Sequence, residues 1–261
     1  MDAWYREWRP PAALSQHVVC TWAGQLGAEG ATYTSSVLPD GCIDIVWDGS
    51  RLFVAGPDTR AVPIARTPGG SFVGIRFRTG RAPTLLDCRA DEIRDQRVEL
   101  GDVWDAGAAT KLSDQLAVAP TLAAAAGALA AGVASALPAA REPDCLADAV
   151  VNEYRQHMAR AAPAAKRFGV SERTLHRRCV AAIGYGPATL ARVLRFRRFI
   201  ALAERRPDAG LAVLAVDAGY ADQAHLTRET RRLASMTPSE LVSRPGVRTV
   251  QDALAPDPGY S

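Results

Sequence analysis

Two periodicities divide the chain. Through the first hundred residues, apolar side chains recur at every second position over short runs. After the Pro39-Asp40-Gly41 turn, Ile43, Ile45 and Trp47 alternate with polar or small neighbours. Residues 51–55 follow Asp48-Gly49-Ser50, a hairpin signal. Further on, Val73, Ile75 and Phe77 alternate with Gly74, Arg76 and Arg78. A period of two predicts strands, and the frequent Gly and Pro punctuation predicts a small antiparallel barrel or sandwich. Beyond Pro83 the pattern changes. Residues 91–100 read as a loop with short helical or extended pieces, and 103–137 as mainly helical. Arg141-Glu142-Pro143-Asp144 is a polar break, and from Cys145 to Leu241 the spacing predicts short helices joined by short turns. Residues 246–261 read as a loose tail.

One helical stretch carries a repeated layout. An Ala-rich helix runs to Gly169, which suits a left-handed turn. Val170 follows as an apolar plug, Ser171 as an N-cap and Glu172 in the first turn, where the helix dipole favours an anion. In the next helix Leu175 is the inward anchor, and Arg173, His176 and Arg177 share another face at spacings of three and four. Fifty residues later the layout returns around Gly219, with Asp222 as N-cap and Leu226 as anchor. There Gln223, Thr227 and Arg228 share the outer face. Between the units, Gly186-Pro187 opens a helix expected over residues 188–202. Val193, Leu194, Phe196, Ile200 and Ala201 supply its apolar stripe, and Arg192, Arg195, Arg197 and Arg198 crowd the rest. Fifteen residues of helix span about 22 Å. With the diameters of the flanking helices added, that approaches the ~34 Å between adjacent major-groove turns of DNA.

These residues resemble the DNA-binding domain of the AraC/XylS family of transcription regulators over roughly residues 150–241. The matching segments are 169–177, 218–228 and the closing Met236-Thr237-Pro238-Ser239-Glu240-Leu241. The resemblance implies a C-terminal all-α bundle with two helix-turn-helix units that bind double-stranded DNA. It also implies Arg173, His176 and Arg177, with the cap Ser171, as the first reading set, and Gln223, Thr227 and Arg228 as the second. Cys179 and Thr230 stand where the family usually has phenylalanine, and Met236 where it usually has glycine. For the N-terminal half the resemblance implies a small-effector or dimerisation domain, and RNA polymerase as a further partner if the protein is an activator.

Charge agrees with a polyanion partner. Residues 1–145 hold 13 Lys/Arg against 17 Asp/Glu, a net of −4, whereas 146–245 hold 17 against 9, a net of +8. A basic block in a nearly neutral chain is the footprint of nucleic-acid binding. The five cysteines are scattered without a C-x-x-C pair, which argues against a disulfide framework, a compact zinc site or a zinc-held reactive cysteine, and so against a fused repair enzyme. No cofactor and no metal are expected, and no catalytic constellation stands out. The opening residues lack the basic start and apolar run of a secretion signal, which makes the cytoplasm the expected compartment. The uncharged run 115–140 is mostly alanine, broken by Gly127, Gly132 and Pro138; a packed helix, and no membrane partner, is expected. That run also suits a helix-to-helix homodimer contact. All five tryptophans lie in the N-terminal half; Trp22, Asp44, Trp47 and Arg76 are the candidate effector-pocket residues, with core filling as the alternative use of the aromatics. The expected architecture is therefore a two-domain α+β chain. An antiparallel β-barrel with trailing helices spans 1–141, a double helix-turn-helix bundle 145–244 and a flexible tail 245–261.

Overall fold

The alternating runs become strands, as their spacing requires. The computed structural model describes residues 4–28, 33–157 and 164–243, so the expected tail lies outside the described residues. Among the described residues eight strands are formed: β1 (Trp4–Trp8), β2 (Val18–Gln25), β3 (Tyr33–Val37), β4 (Asp44–Trp47), β5 (Leu52–Ala55), β6 (Val62–Arg66), β7 (Ser71–Phe77) and β8 (Arg97–Glu99). Six make one antiparallel sheet in the order β1-β2-β7-β4-β5-β8, while β3 and β6 pair only with each other. The β4–β5 turn is tied by Asp48, whose Oδ1 accepts from the backbone N–H of Ser50 and Arg51 at 3.0 and 2.9 Å.

The sheet is open, where the alternation suggested a barrel. Closure requires the two edge strands to pair. Here β8 is three residues long and runs directly into a helix, and β3 and β6 spend their edges on each other instead of bridging β1 to β8.

Helices α1 (Leu100–Val103), α2 (Ala106–Ala117) and α3 (Leu122–Ala136) cover one face of the sheet. Asp105 and Thr121 cap α2 and α3 by accepting the N–H groups of Ala108 and Ala124. The apolar sheet face, with Ile45, Trp47, Val54, Val73, Ile75 and Phe77, packs into one cluster with Leu112, Leu129 and Val133. By length and hydropathy residues 122–139 suffice to cross a membrane. In the fold, Ala125, Ala126, Leu129, Ala130 and Val133 are buried within this same cluster; the opposite side of α3 is exposed and almost wholly alanine and glycine.

The helical half comprises α4 (Cys145–His157), α5 (Ala164–Arg167), α6 (Glu172–Ile183), α7 (Pro187–Arg205), α8 (Leu211–Ala218), α9 (Gln223–Ala234) and α10 (Pro238–Ser243). At 19 residues α7 is about one turn longer than its sequence pattern suggested, or about 28 Å. A second core gathers Tyr154, Leu175, Cys179, Leu190, Phe196, Phe199, Leu214, Leu226 and Leu241, and Leu38 from the strand half is buried within it.

Leu129 on α3 is completely buried. Truncating it to alanine is expected to lower stability by about 2–5 kcal/mol, the usual cost of a leucine-sized core deletion. Chemical denaturation measures this directly. An unchanged unfolding midpoint would contradict the packing of α3 on the sheet.

Candidate nucleic-acid interface

Each helix-turn-helix unit is assembled from local rules. Gly169 and Gly219 adopt φ of 64° and 91°, the left-handed region that glycine enters without a Cβ clash. Behind each, the chain folds back on the preceding helix: the Val170 N–H donates to the Ala165 carbonyl at 3.0 Å, and the Tyr220 N–H to the Ala215 carbonyl at 2.9 Å. Ser171 then caps α6, its Oγ accepting the Thr174 N–H at 3.1 Å, and Asp222 caps α9, its Oδ1 accepting the His225 N–H at 2.6 Å. Leu175 and Leu226 point inward and are buried.

The outer faces are open. Arg173, His176, Arg177, Gln223 and Arg228 are exposed, and Thr227 is half-buried with its hydroxyl donating to the Gln223 carbonyl at 2.9 Å. The His176 ring lies over Gly186, where an added Cβ would come within 2.5 Å of it. Arg178, which follows Arg177 on α6, is used differently. Its guanidinium grips Asp144 with two bonds of 2.8 Å, and Asp144 also accepts the Ala147 N–H at the start of α4. Burial raises the Asp144 pKa, but the guanidinium and the N–H groups outweigh it and hold the carboxyl below its ordinary range. On the second unit, Glu229 of α9 pairs with Arg192 of α7 at 2.7 Å. Arg195 of α7 lies 5.4 Å from the Tyr220 ring centroid, a cation–π contact beside the second turn. Each of α6 and α9 is thus pinned by a salt bridge on its inner side while its arginine-bearing face stays in water.

Residues 164–244 match the family described as a helix-turn-helix domain. This region is an AraC-type helix-turn-helix domain. Its two units are those around Gly169 and Gly219. Residues 6–99, ahead of the AraC-type domain, match a family described as a domain of unknown function, DUF6597. The chain is similar to a structure of ToxT from Vibrio cholerae at 10% identity, covering 85% of this chain and 97% of that one with a TM-score of 0.49. It is also similar to ToxT bound to (E)-4-(8-methylnaphthalen-1-yl)but-3-enoic acid, at 10% identity, 93% and 98% coverage and a TM-score of 0.44. No curated protein matches the sequence.

In the strand half the candidate pocket residues separate. Trp22, Asp44 and Arg76 share one face of the sheet, because Trp22 pairs with Gly74 and Asp44 with Arg76. Trp47, an odd number of positions from Asp44, falls on the other face and joins the core under α3. Arg76 is buried and binds Asp44 through Nε and Nη2 at 3.0 and 2.8 Å, with Asp40 at 3.4 Å. Burial opposes the charge on Arg76, but the Asp44 and Asp40 carboxylates hold it protonated well above its ordinary pKa. Sequence reading passed over Glu7, which lies across from Trp22 in β1 and accepts the Tyr5 hydroxyl at 2.9 Å. Glu7 Oε2, Trp22 Nε1 and Arg76 Nη1 are buried polar atoms without a hydrogen-bond partner among the described residues. Alternation of Glu7 with Trp8 and Arg6 was the available signal, but β1 is too short and too mixed to show a period.

Cys20, Cys42 and Cys179 are buried, and Cys145 is exposed. Burial pushes the Cys179 thiol up to about 12 and that of Cys42 up to about 11, which suppresses the thiolate that reacts. Under native conditions an alkylating reagent at neutral pH is therefore expected to modify Cys145 and leave Cys20, Cys42 and Cys179 intact until the protein is unfolded. Peptide mass spectrometry reads the order; native labelling of Cys179 at the rate of Cys145 would contradict its place in the core.

Proposed function

We propose that this protein is a sequence-specific DNA-binding transcription regulator. Its α6 and α9 enter adjacent major grooves and α7 holds them apart. The observation that carries this reading is the pair of capped helices with exposed arginine faces on one linker helix. Arginine presents a fork that matches the O6/N7 acceptor pair of guanine, and an amide such as Gln223 matches adenine. Arg173, His176 and Arg177 form the first reading set and Gln223, Thr227 and Arg228 the second, with Ser171 near a phosphate at the first helix N-terminus. Regulation of transcription from such a site places the protein in the cytoplasm, with RNA polymerase as a partner where it activates.

The domain division that suits this role is 1–141 for the strand half and 145–244 for the reading half. A small effector fits the strand half at the sheet face carrying Glu7, Trp22 and Arg76. The support is the three unpartnered polar atoms there, since a buried polar group left unpaired costs about 1–3 kcal/mol and a ligand that pairs it recovers that cost. A second reading, in which the strand half serves only to pair two copies, draws on a different feature. A groove of about 390 Å³ between β1 and the start of α3 is lined by Trp4, Tyr5, Trp8 and Leu122, and Trp4 and Tyr5 are exposed. Thermal-shift screening against metabolites separates the two: no ligand shift together with constitutive DNA binding favours pairing alone.

Arg173→Ala and Arg228→Ala are each expected to weaken binding to a selected site by about 1–3 kcal/mol with the fold intact. Affinity should also fall steeply with salt as phosphate contacts release counterions. Gel-shift titrations measure both. Wild-type affinity in the two variants, or a flat salt dependence, would overturn the assignment.

A further inference from the structure

A helix end leaves its last carbonyl groups without intrahelical donors. The two reading helices both end against the strand half, and both receive donors from it. At the end of α6, the Ala181 carbonyl accepts the Ala90 N–H at 2.9 Å and the Gly184 carbonyl accepts Arg94 Nη1 at 3.0 Å. At the end of α9, the Leu233 carbonyl accepts the Ala61 N–H at 2.6 Å. Pro57 packs on Gly184 so closely that an added Cβ there would lie 2.4 Å from its ring.

The donors belong to two segments, the loop 56–61 and residues 90–97, the last of which is the first residue of β8, and the two are stitched into one piece. Asp58 holds Arg97 by two bonds of 2.9 and 2.7 Å. Asp95 Oδ1 accepts the Thr59 N–H at 2.7 Å, and its Oδ2 accepts the Thr59 hydroxyl at 2.8 Å. The Gly56 N–H donates to the Gln96 carbonyl at 3.0 Å. A single stiff pad therefore touches the C-terminal ends of α6 and α9 together. Both reading faces lie near the opposite, N-terminal ends of the same helices.

We propose that this pad is a spacing gauge: segments 56–61 and 90–97 fix the separation of α6 and α9, and Arg94 and Ala61 are positioning residues for two-site DNA reading. The proposal rests on α6 and α9 being the reading helices. α7 joins the units along one side. The pad closes the other side, so that neither helix can swing about its junction with α7. One inserted base pair displaces a half-site by about 3.4 Å and rotates it by about 34°, given roughly 10.5 base pairs per turn. A gauged pair of helices cannot follow that change; an ungauged pair can.

The test compares wild type with Arg94→Ala and Ala61→Pro in the full chain. Arg94 is exposed, so its removal leaves the cores untouched; proline removes the Ala61 N–H. Each protein is titrated with a duplex selected from a random pool by the wild type and with the same duplex carrying one extra base pair between half-sites. Wild type is expected to lose at least about tenfold in affinity on insertion, and each variant less than about threefold. Spin labels at Glu172→Cys and Arg232→Cys, with Cys145→Ser, report the α6–α9 distance without DNA. A single narrow distribution is expected in wild type and a broadened one in the variants. Unchanged insertion penalties with unchanged distances in Arg94→Ala overturn the gauge, even if Ala61→Pro does not fold. A wild type indifferent to the insertion overturns it as well. If wild type selects no two-part site, the reading-helix assignment fails, and the distance measurement still decides whether the pad holds the helices.

Discussion

B-DNA offers its major groove to one face of a protein once per turn, about every 34 Å. Two reading helices on one chain can use that repeat only if their separation is fixed to within a fraction of a groove width. In the proposed reading of DNA, the helical half is organised around this constraint. Helix α7 supplies a rod of about the right length, and its Leu190, Val193, Phe196, Phe199 and Ile200 are buried among the other helices. The rod is therefore held along its length as well as at its ends. Arg192 reaches across to Glu229 of α9, while Arg178 of α6 reaches back to Asp144. Exposed pairs of this kind add little stability; these are half-buried and fix orientation.

The strand half is shaped by a different balance. One face of its sheet is a dry core under α3, and the other carries a buried arginine between two carboxylates. A buried ion pair is weak evidence for stability, because desolvation offsets most of the attraction, yet deleting one partner is costly. Arg76, Asp44 and Asp40 instead tie this face to the helical half. Asp40 sits in the segment whose backbone carbonyl accepts Arg197 of α7 at 3.1 Å, and Leu38 two residues earlier is buried in the helical core. A change at the Arg76 face thus has a short covalent and hydrogen-bonded route to the linker helix.

How much of this was legible depends on what carries the signal. The caps Ser171 and Asp222, the turns at Gly169 and Gly219, and the anchors Leu175 and Leu226 were legible because each is a local choice of residue type. The strands at Ile43, Ile45 and Trp47 and at Val73, Ile75 and Phe77 were legible for the same reason, since one dry face imposes a strict period of two. Sheet closure was not legible, because it depends on which edges meet, and nothing in a three-residue β8 encodes that. The separation of Trp47 from Trp22, Asp44 and Arg76 follows from strand parity, but only once register is known. Two of the contacts between the halves were invisible for a deeper reason. They use the backbone N–H groups of Ala61 and Ala90, and an alanine carries no mark of where its amide will be spent.

Two-site reading of DNA requires α6 and α9 to engage two successive major grooves. Guanine-N7 methylation protection on a duplex selected by the full chain measures this most directly. Two protected segments on one face of the DNA, centred about one helical turn apart, are predicted. A single protected segment, or two on opposite faces, would contradict it.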